Sequence, residues 1–180
     1  MTDEILQRIW QALDEATTQG TGFTLGFLGT LGNQGGPRIR AVILRRFERS
    51  PARIFFATHA RAAKVAEIRQ NPQVALTLHD NDRSVQLRIE GTASAVHDDA
   101  ERQRAWKALA DHSLYASTLV PGEIWPGSDE SRDLATAFCR FAWIRIELER
   151  LDWLDLAVDP HQRWQFWRDA GSWRGQRVVP

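Results

Sequence analysis

The run Thr58-His59-Ala60-Arg61-Ala62-Ala63-Lys64 carries the chemistry most readily named. A hydroxyl closes the apolar stretch Phe55-Phe56-Ala57. Cations follow three and six residues later, on what reads as the first turn of a helix. Helix N-termini present N–H groups and the positive end of a dipole. Adding Arg61 and Lys64 makes a site suited to a phosphate dianion. The same residues also suit a plain capped helix with two solvated cations.

Two further segments carry chemistry. In Pro37-Arg38-Ile39-Arg40-Ala41-Val42-Ile43-Leu44-Arg45-Arg46, strand alternation puts Arg40 on one face with Val42 and Leu44. A guanidinium among apolar side chains calls for an anionic or carbonyl partner. An edge strand with solvated arginines is the plainer alternative. In Ser84-Val85-Gln86-Leu87-Arg88-Ile89-Glu90-Gly91, Gln86 can donate and accept at once, as the polar edge of a flat heterocycle requires. A solvent-facing Gln would look the same.

Other chemistries find no support. The five histidines lack metal-ligand spacing, so no metal is expected. Gly26, Gly29, Gly32, Gly35 and Gly36 match neither dinucleotide nor P-loop spacing. Carboxylates are scattered and form no acid–base pair, so no catalytic residue is assigned. A redox cofactor would account for an enzyme without visible acid–base machinery. The single cysteine, Cys139, rules out an intramolecular disulfide, and its neighbours Phe138 and Phe141 predict a buried, inert thiol. Basic and acidic residues balance at 23 each, which argues against a dedicated nucleic-acid binder. The start MTDEILQRIW has no basic region followed by an apolar one, and no run approaches the ~18 apolar residues of a membrane span. A cytoplasmic protein is expected. Eight tryptophans must cover one another, a flat ligand or a partner subunit.

The elements that would position these residues follow from periodicity. Ile5, Leu6, Ile9, Trp10 and Leu13 recur at helical spacing, with Gly20 and Gly22 as a stop. Phe23–Thr30 and Arg38–Arg46 read as strands around the turn Leu31-Gly32-Asn33-Gln34-Gly35-Gly36-Pro37. Further strands are expected over Ile54–Thr58, Val74–Leu78, Ser84–Val96, Ala137–Glu149, Leu151–Val158 and Trp173–Val179. Helices are expected over Ala60–Gln70 and Asp98–Ala110. Gly91 marks a bulge or a close backbone approach, and Leu114–Ser131 reads as an irregular loop. Antiparallel strands with short inserted helices predict one domain, residues 1–180: mainly β, a closed or split barrel with short helices.

Taken in order, these segments resemble the pyridoxamine 5′-phosphate oxidase-like flavoproteins. The resemblance rests on Gly36-Pro37-x-x-Arg40-x-Val42-Ile43-Leu44-Arg45, on Phe56-Ala57-Thr58-x-x-Arg61-x-x-Lys64-x-x-x-Ile68-x-x-Asn71-Pro72, on Val85-Gln86-x-Arg88-x-Glu90-Gly91 and on the tail Trp173-x-x-x-Arg177-x-x-Pro180. It implies an FMN-binding split barrel that forms a homodimer with FMN at the subunit interface. Thr58, Arg61 and Lys64 would hold the phosphate, and Ala57 would also belong to the cofactor site. Arg40 and Arg45 would also contact the cofactor, the backbone at Val42, Ile43 and Leu44 would face the ring, and Gln86 would bond its polar edge. Trp167 or Trp173 would be the tryptophan to reach a partner's flavin.

The departures limit what the resemblance implies. The C-terminal Arg-x-His of the true oxidases is absent, and Trp106, His112 and Ser113 stand where their substrate-phosphate ligands are expected. The implied function is an FMN-dependent oxidoreductase acting on an unidentified small molecule. The alternative is a binding protein for a flavin, haem or deazaflavin without turnover. Neither nucleic acid nor membrane is implied as a partner.

Overall fold

The computed structural model describes residues 2–125 and 132–180. Eight strands run in chain order: β1 (Leu25–Leu31), β2 (Pro37–Arg49), β3 (Ala52–His59), β4 (Gln73–Asp80), β5 (Val85–Ala95), β6 (Phe141–Asp155), β7 (Gln162–Asp169) and β8 (Ser172–Val178). Four helices join them: α1 (Thr2–Thr18), α2 (Ala63–Gln70), α3 (Asp99–Ala108) and α4 (Ser113–Ala116). The strand order is β3-β2-β1-β4-β5-β6-β7-β8, and β3 also pairs with β6. That pairing closes six strands into a barrel, and β7 and β8 extend from it as a hairpin.

Alternation explains the barrel core. Leu28, Val42, Leu44, Ile54, Phe56, Leu76, Leu78, Leu87, Ile89, Ile144 and Ile146 point inward and are buried. The two ends are covered differently. At the end where β1 begins and β2 finishes, α1 inserts Ile9 and Leu13, and Trp10 stacks on Phe47 with ring centroids 5.5 Å apart. Trp10 also meets Trp173 of β8 edge-on. At the opposite end, where β1 finishes and β2 begins, α2 turns Val65 and Ile68 into the core. A second cluster lies outside the barrel. Phe55, Phe141 and Trp143, on the outer face of β3 and β6, are covered by Tyr115, Ala137 and Val96. Trp106 packs edge-on to Tyr115 and Phe141 and stacks on His112.

Gly91 is where β5 shifts register against β6, between Glu90 and Gly91. A Cβ at Gly91 would lie 2.1 Å from the Glu147 carbonyl oxygen, so the bulge and the close approach are both real. Three expectations need correction. Residues 141–155 form one long strand rather than two, because Arg150 continues the alternation with a β7 partner. The run Gln162–Asp169, over which no strand is expected from the sequence, is β7 itself. Cys139 sits in a short 3-10 turn over Ala137–Arg140 and is exposed, because that turn buries Ala137 instead.

Candidate functional site

β3 ends at His59, and a short turn leads into α2. Ala62 donates its N–H to the His59 carbonyl at 3.0 Å and then stands as the helix N-cap, with no side chain capping the helix. The capped-helix alternative therefore fails here: an alanine cap leaves the first N–H groups of α2 without the usual hydroxyl or carboxylate. Beside this uncapped turn, Thr58 is 6% exposed and accepts a hydrogen bond from Lys64 Nζ at 3.0 Å.

Arg40 reaches the same end of the barrel from β2. Its Nη2 lies 2.5 Å from Glu67 Oε2, and its Nη1 donates to Thr30 Oγ1. Thr30 in turn donates to Glu67 Oε2 at 2.6 Å. Glu67 is buried, on the face of α2 that carries Ile68. Burial holds the Lys64 ammonium below the usual lysine range, Arg40 pushes it further down, and Glu67 opposes them. Two cations, two buried hydroxyls and one carboxylate thus meet beside α2. Such a group is short of negative charge, and an anion lying against Lys64 would restore the balance.

The strand pairing opens a slot beside this cluster. β2 pairs with β3 from Leu44–Phe56 to Arg49–Ala52, whereas Pro37 to Ile43 pair with β1. Ala57, Thr58 and His59 pair with β6 instead. The two strands therefore part at Leu44, and among the described residues the β3-facing edge of β2 has no partner strand before that point. The side chains of Val42 and Leu44 fill the barrel, so only their backbone is presented to the slot; Ile43 points outward and is 37% exposed.

The remaining expected residues are spread out. Ala57 is half-buried beside Thr58. Arg61 is exposed and donates to the Thr118 carbonyl at 2.7 Å, turned away from Lys64. Arg45 falls in the register shift between Leu44 and Arg46, which swings it towards Tyr115. Gln86 lies opposite His79 on β4 and Leu154 on β6. Leu78, next to His79, pairs with Gly26 on β1, and Leu25, next to Gly26, pairs with Ile43 on β2. Gln86 is thus three strands, about 14 Å, from Ile43 along the sheet. Sequence reasoning missed Thr30 and Glu67. Thr30 carried a signal, because it continues the inward alternation of Leu28; Glu67 carried none that separates it from a solvent-facing helical glutamate.

Among the described residues, no group of three or more His, Cys, Asp or Glu is placed to hold a metal ion. Nor, among the described residues, is any helix long and apolar enough to cross a membrane.

Comparison with known proteins fits this geometry. Residues 12–149 match the sequence family described as pyridoxamine 5′-phosphate oxidase. A pyridoxine/pyridoxamine 5′-phosphate oxidase of Sphingopyxis alaskensis is 31% identical over 163 residues, covering 84% of this chain and 69% of the relative. The dihydrophenazinedicarboxylate synthase of Pseudomonas chlororaphis is 27% identical over 168 residues, covering 85% of this chain and 73% of the relative. Among solved structures, a pyridoxamine 5′-phosphate oxidase-related, FMN-binding protein of Nostoc punctiforme superposes with a TM-score of 0.79 at 21% identity, covering 97% of this chain and 96% of its own. PhzG from Burkholderia lata, bound to tetrahydrophenazine-1-carboxylic acid, superposes with a TM-score of 0.74 at 18% identity, covering 98% and 91%. The split barrel and the family match over most of its length agree: the chain belongs to the pyridoxamine 5′-phosphate oxidase family.

Proposed function

We propose that this chain is an FMN-binding oxidoreductase that acts on a small molecule as a homodimer. The observation that carries the reading is the parting of β2 from β3 at Leu44, directly beside Thr58, Lys64 and Arg40. The cluster is built for a phosphate, and the slot offers backbone groups at Val42–Leu44 to the polar edge of a flat ring. The donor set fits FMN: Lys64 and the uncapped start of α2 for its dianion, Thr58 as a hydroxyl ligand, Arg40 as a second cation held in place by Glu67 and Thr30. When bound, FMN would supply the hydride-accepting chemistry that no acid–base pair of this chain provides. The chain's part is to fix the phosphate and to align the ring in the slot.

The dimer reading rests on the outer face of β1 and β2. Leu25, Phe27, Leu31, Ile39 and Ile43 are all exposed there, Ile39 by 74%. Strand pairing sets Leu25 beside Ile43 and Phe27 beside Ala41, which makes one continuous apolar strip. In this reading the Gln86 that meets a ring in the slot would come from a second copy docked on this strip, because the Gln86 of the same chain lies three strands away along the sheet.

The test is an absorbance spectrum of the purified protein after FMN is added and the excess removed, with FMN and riboflavin affinities for the wild type and a Thr58→Ala/Lys64→Ala variant. Retained flavin bands and an FMN affinity that drops about 100-fold in the variant, with riboflavin little changed, support the reading. A colourless protein, or equal losses for both ligands, overturns it. Retained FMN that no NADH, NADPH or small-molecule donor reduces on a catalytic timescale would favour binding without turnover. Glu67, the carboxylate of the cluster, is already committed to Arg40, which is the observation on that side.

A further inference from the structure

A cavity of about 410 Å³ lies between α2, the end of β5 and the start of β6. On α2, Val65, Ile68 and Arg69 fall at i, i+3 and i+4 and share the face that borders it. Lys64 and Glu67 belong to the neighbouring stripe of the helix and turn to Thr58, Thr30 and Arg40. The cavity is therefore on another side of α2 from the phosphate cluster, and away from the apolar strip of β1 and β2. Its floor is apolar, because Val65, Ile68 and Ile144 are all part of the core.

Its rim is basic. Arg69 comes from the last turn of α2, Arg145 from β6 and His97 from the chain just past β5. Among the described residues, no carboxylate borders the cavity, and Arg69 and His97 make no hydrogen bond or ion pair. Arg145 Nε lies 3.5 Å from Glu147 Oε1, yet it is buried and has no hydrogen-bond partner among the described residues. A buried donor in that state is costly unless something supplies an acceptor. Glu147 is shared with Arg53, whose Nη2 is 3.2 Å from the same oxygen, so one carboxylate serves two guanidinium groups. The carboxylates beyond His97 are engaged elsewhere: Asp98 accepts the Glu101 N–H at 2.6 Å, and Asp99 pairs with Arg102 at 2.9 Å. Ser94 stands opposite Arg145 across the β5–β6 pairing and adds a hydroxyl. Two guanidinium forks, an imidazole and a hydroxyl suit a tetrahedral dianion, which accepts several charged hydrogen bonds at once. We propose that this cavity binds a small aliphatic phosphate monoester, its dianion on Arg69, Arg145, His97 and Ser94 and its apolar tail against Val65, Ile68 and Ile144. Inorganic phosphate would share the rim but not the floor. The assignment does not depend on FMN binding.

Isothermal titration of the full-length protein with butyl phosphate, inorganic phosphate and butanol tests this. It is run on the wild type and on Thr58→Ala/Lys64→Ala, in which the phosphate cluster beside the slot is dismantled. Butyl phosphate should bind both proteins, and in the variant about tenfold more tightly than inorganic phosphate. Butanol should show no binding. In that background Arg69→Gln, at an exposed position, should weaken butyl phosphate about tenfold, and Arg69→Lys, which keeps the charge without the fork, should recover part of the loss. Amide resonances of the wild type give a second reading that needs no variant: butyl phosphate should shift Arg69 and residues 94–97. FMN retention, followed by absorbance, should be the same in Arg69→Gln alone as in the wild type. No binding at millimolar concentration, equal affinity for butyl and inorganic phosphate, or an Arg69→Gln variant that binds like its parent overturns the proposal. So does binding confined to the wild type with shifts confined to residues 58–64, which would place the probe at the phosphate cluster. A protein that binds butyl phosphate as stated but retains no FMN would count against the function proposed above and support this pocket.

Discussion

Lys64 reaches back across the turn between β3 and α2 to donate from Nζ to Thr58 Oγ1 at 3.0 Å. The hydroxyl and the ammonium thereby hold one another at the mouth of the slot. Burial and the neighbouring Arg40 keep the ammonium below the usual lysine range. A neutral lysine attracts a dianion far less than an ammonium does. FMN affinity should therefore be full below the lowered Lys64 pKa and fall as pH rises through it, ahead of the range in which an ordinary lysine titrates. Lys64→Arg should keep its charge and remove this alkaline loss. Fluorescence titration of FMN across neutral to alkaline pH checks it; parallel profiles for wild type and variant would contradict it.

Glu67 ties Arg40 and Thr30 together at the barrel end. Replacing it with alanine leaves the Arg40 guanidinium, whose side chain is 22% exposed, without its carboxylate. Breaking a pair buried to this degree costs about 2–4 kcal/mol. Urea unfolding should show a lower midpoint for Glu67→Ala and a smaller drop for Glu67→Gln, which keeps a hydrogen-bond acceptor. A midpoint within error of wild type for Glu67→Ala would show that the pair contributes little.

The apolar strip on β1 and β2 offers a direct test of assembly. Phe27 is 49% and Ile39 is 74% exposed, and both face outward, so charging them leaves the barrel interior untouched. Phe27→Asp/Ile39→Asp should convert a dimer to a monomer in sedimentation experiments and weaken FMN retention with it. A variant that stays dimeric would move the interface elsewhere.

Gly91→Ala places a Cβ against the Glu147 carbonyl, and backbone cannot step aside as a flexible side chain can. The β5–β6 seam would have to open at its bulge. We expect a loss of roughly 2–3 kcal/mol, at the upper end for a single added methyl. Thermal unfolding reads it out, and a melting temperature unchanged from wild type would refute the close approach.

His59 supplies an acid-side prediction. Its ring resists protonation in the folded protein because it is buried and faces Arg61, Arg140 and Lys64. In the unfolded chain it takes a proton near its ordinary pKa of about 6.5. The unfolded state thus binds more protons as pH falls, so this contribution is complete above that value and lost progressively below it. His59→Gln should show a shallower decline in stability between neutral and mildly acidic pH than wild type.

Much of this architecture was legible because alternation is a strong signal where one face is buried. The runs around Val42, Leu87 and Ile144 declared their inward faces, and the Thr58-to-Lys64 spacing placed a cation correctly against a hydroxyl. Arg61 matched the same pattern, yet a loop carbonyl at Thr118 takes it, and linear spacing carries no information about that contact. β7 was unreadable for a different reason. Its residues Arg163 and Gln165 are polar because they face Asp152, so the strand is carried by Trp164 and Phe166 on the other face. Glu67 escaped notice because a lone glutamate in a helix ordinarily faces water; only the folded barrel brings Thr30 and Arg40 to it.

A closed barrel leaves no free strand margin, but among the described residues this one is unzipped over the first half of β2. An unpaired margin of that kind is a template for another chain's backbone. Whatever occupies the slot therefore does a second job, as a seal on the seam. Under the proposed function, the ligand-loaded protein would be the form least able to recruit neighbours strand to strand, so supply of that ligand during synthesis would bear on whether the chain remains dispersed.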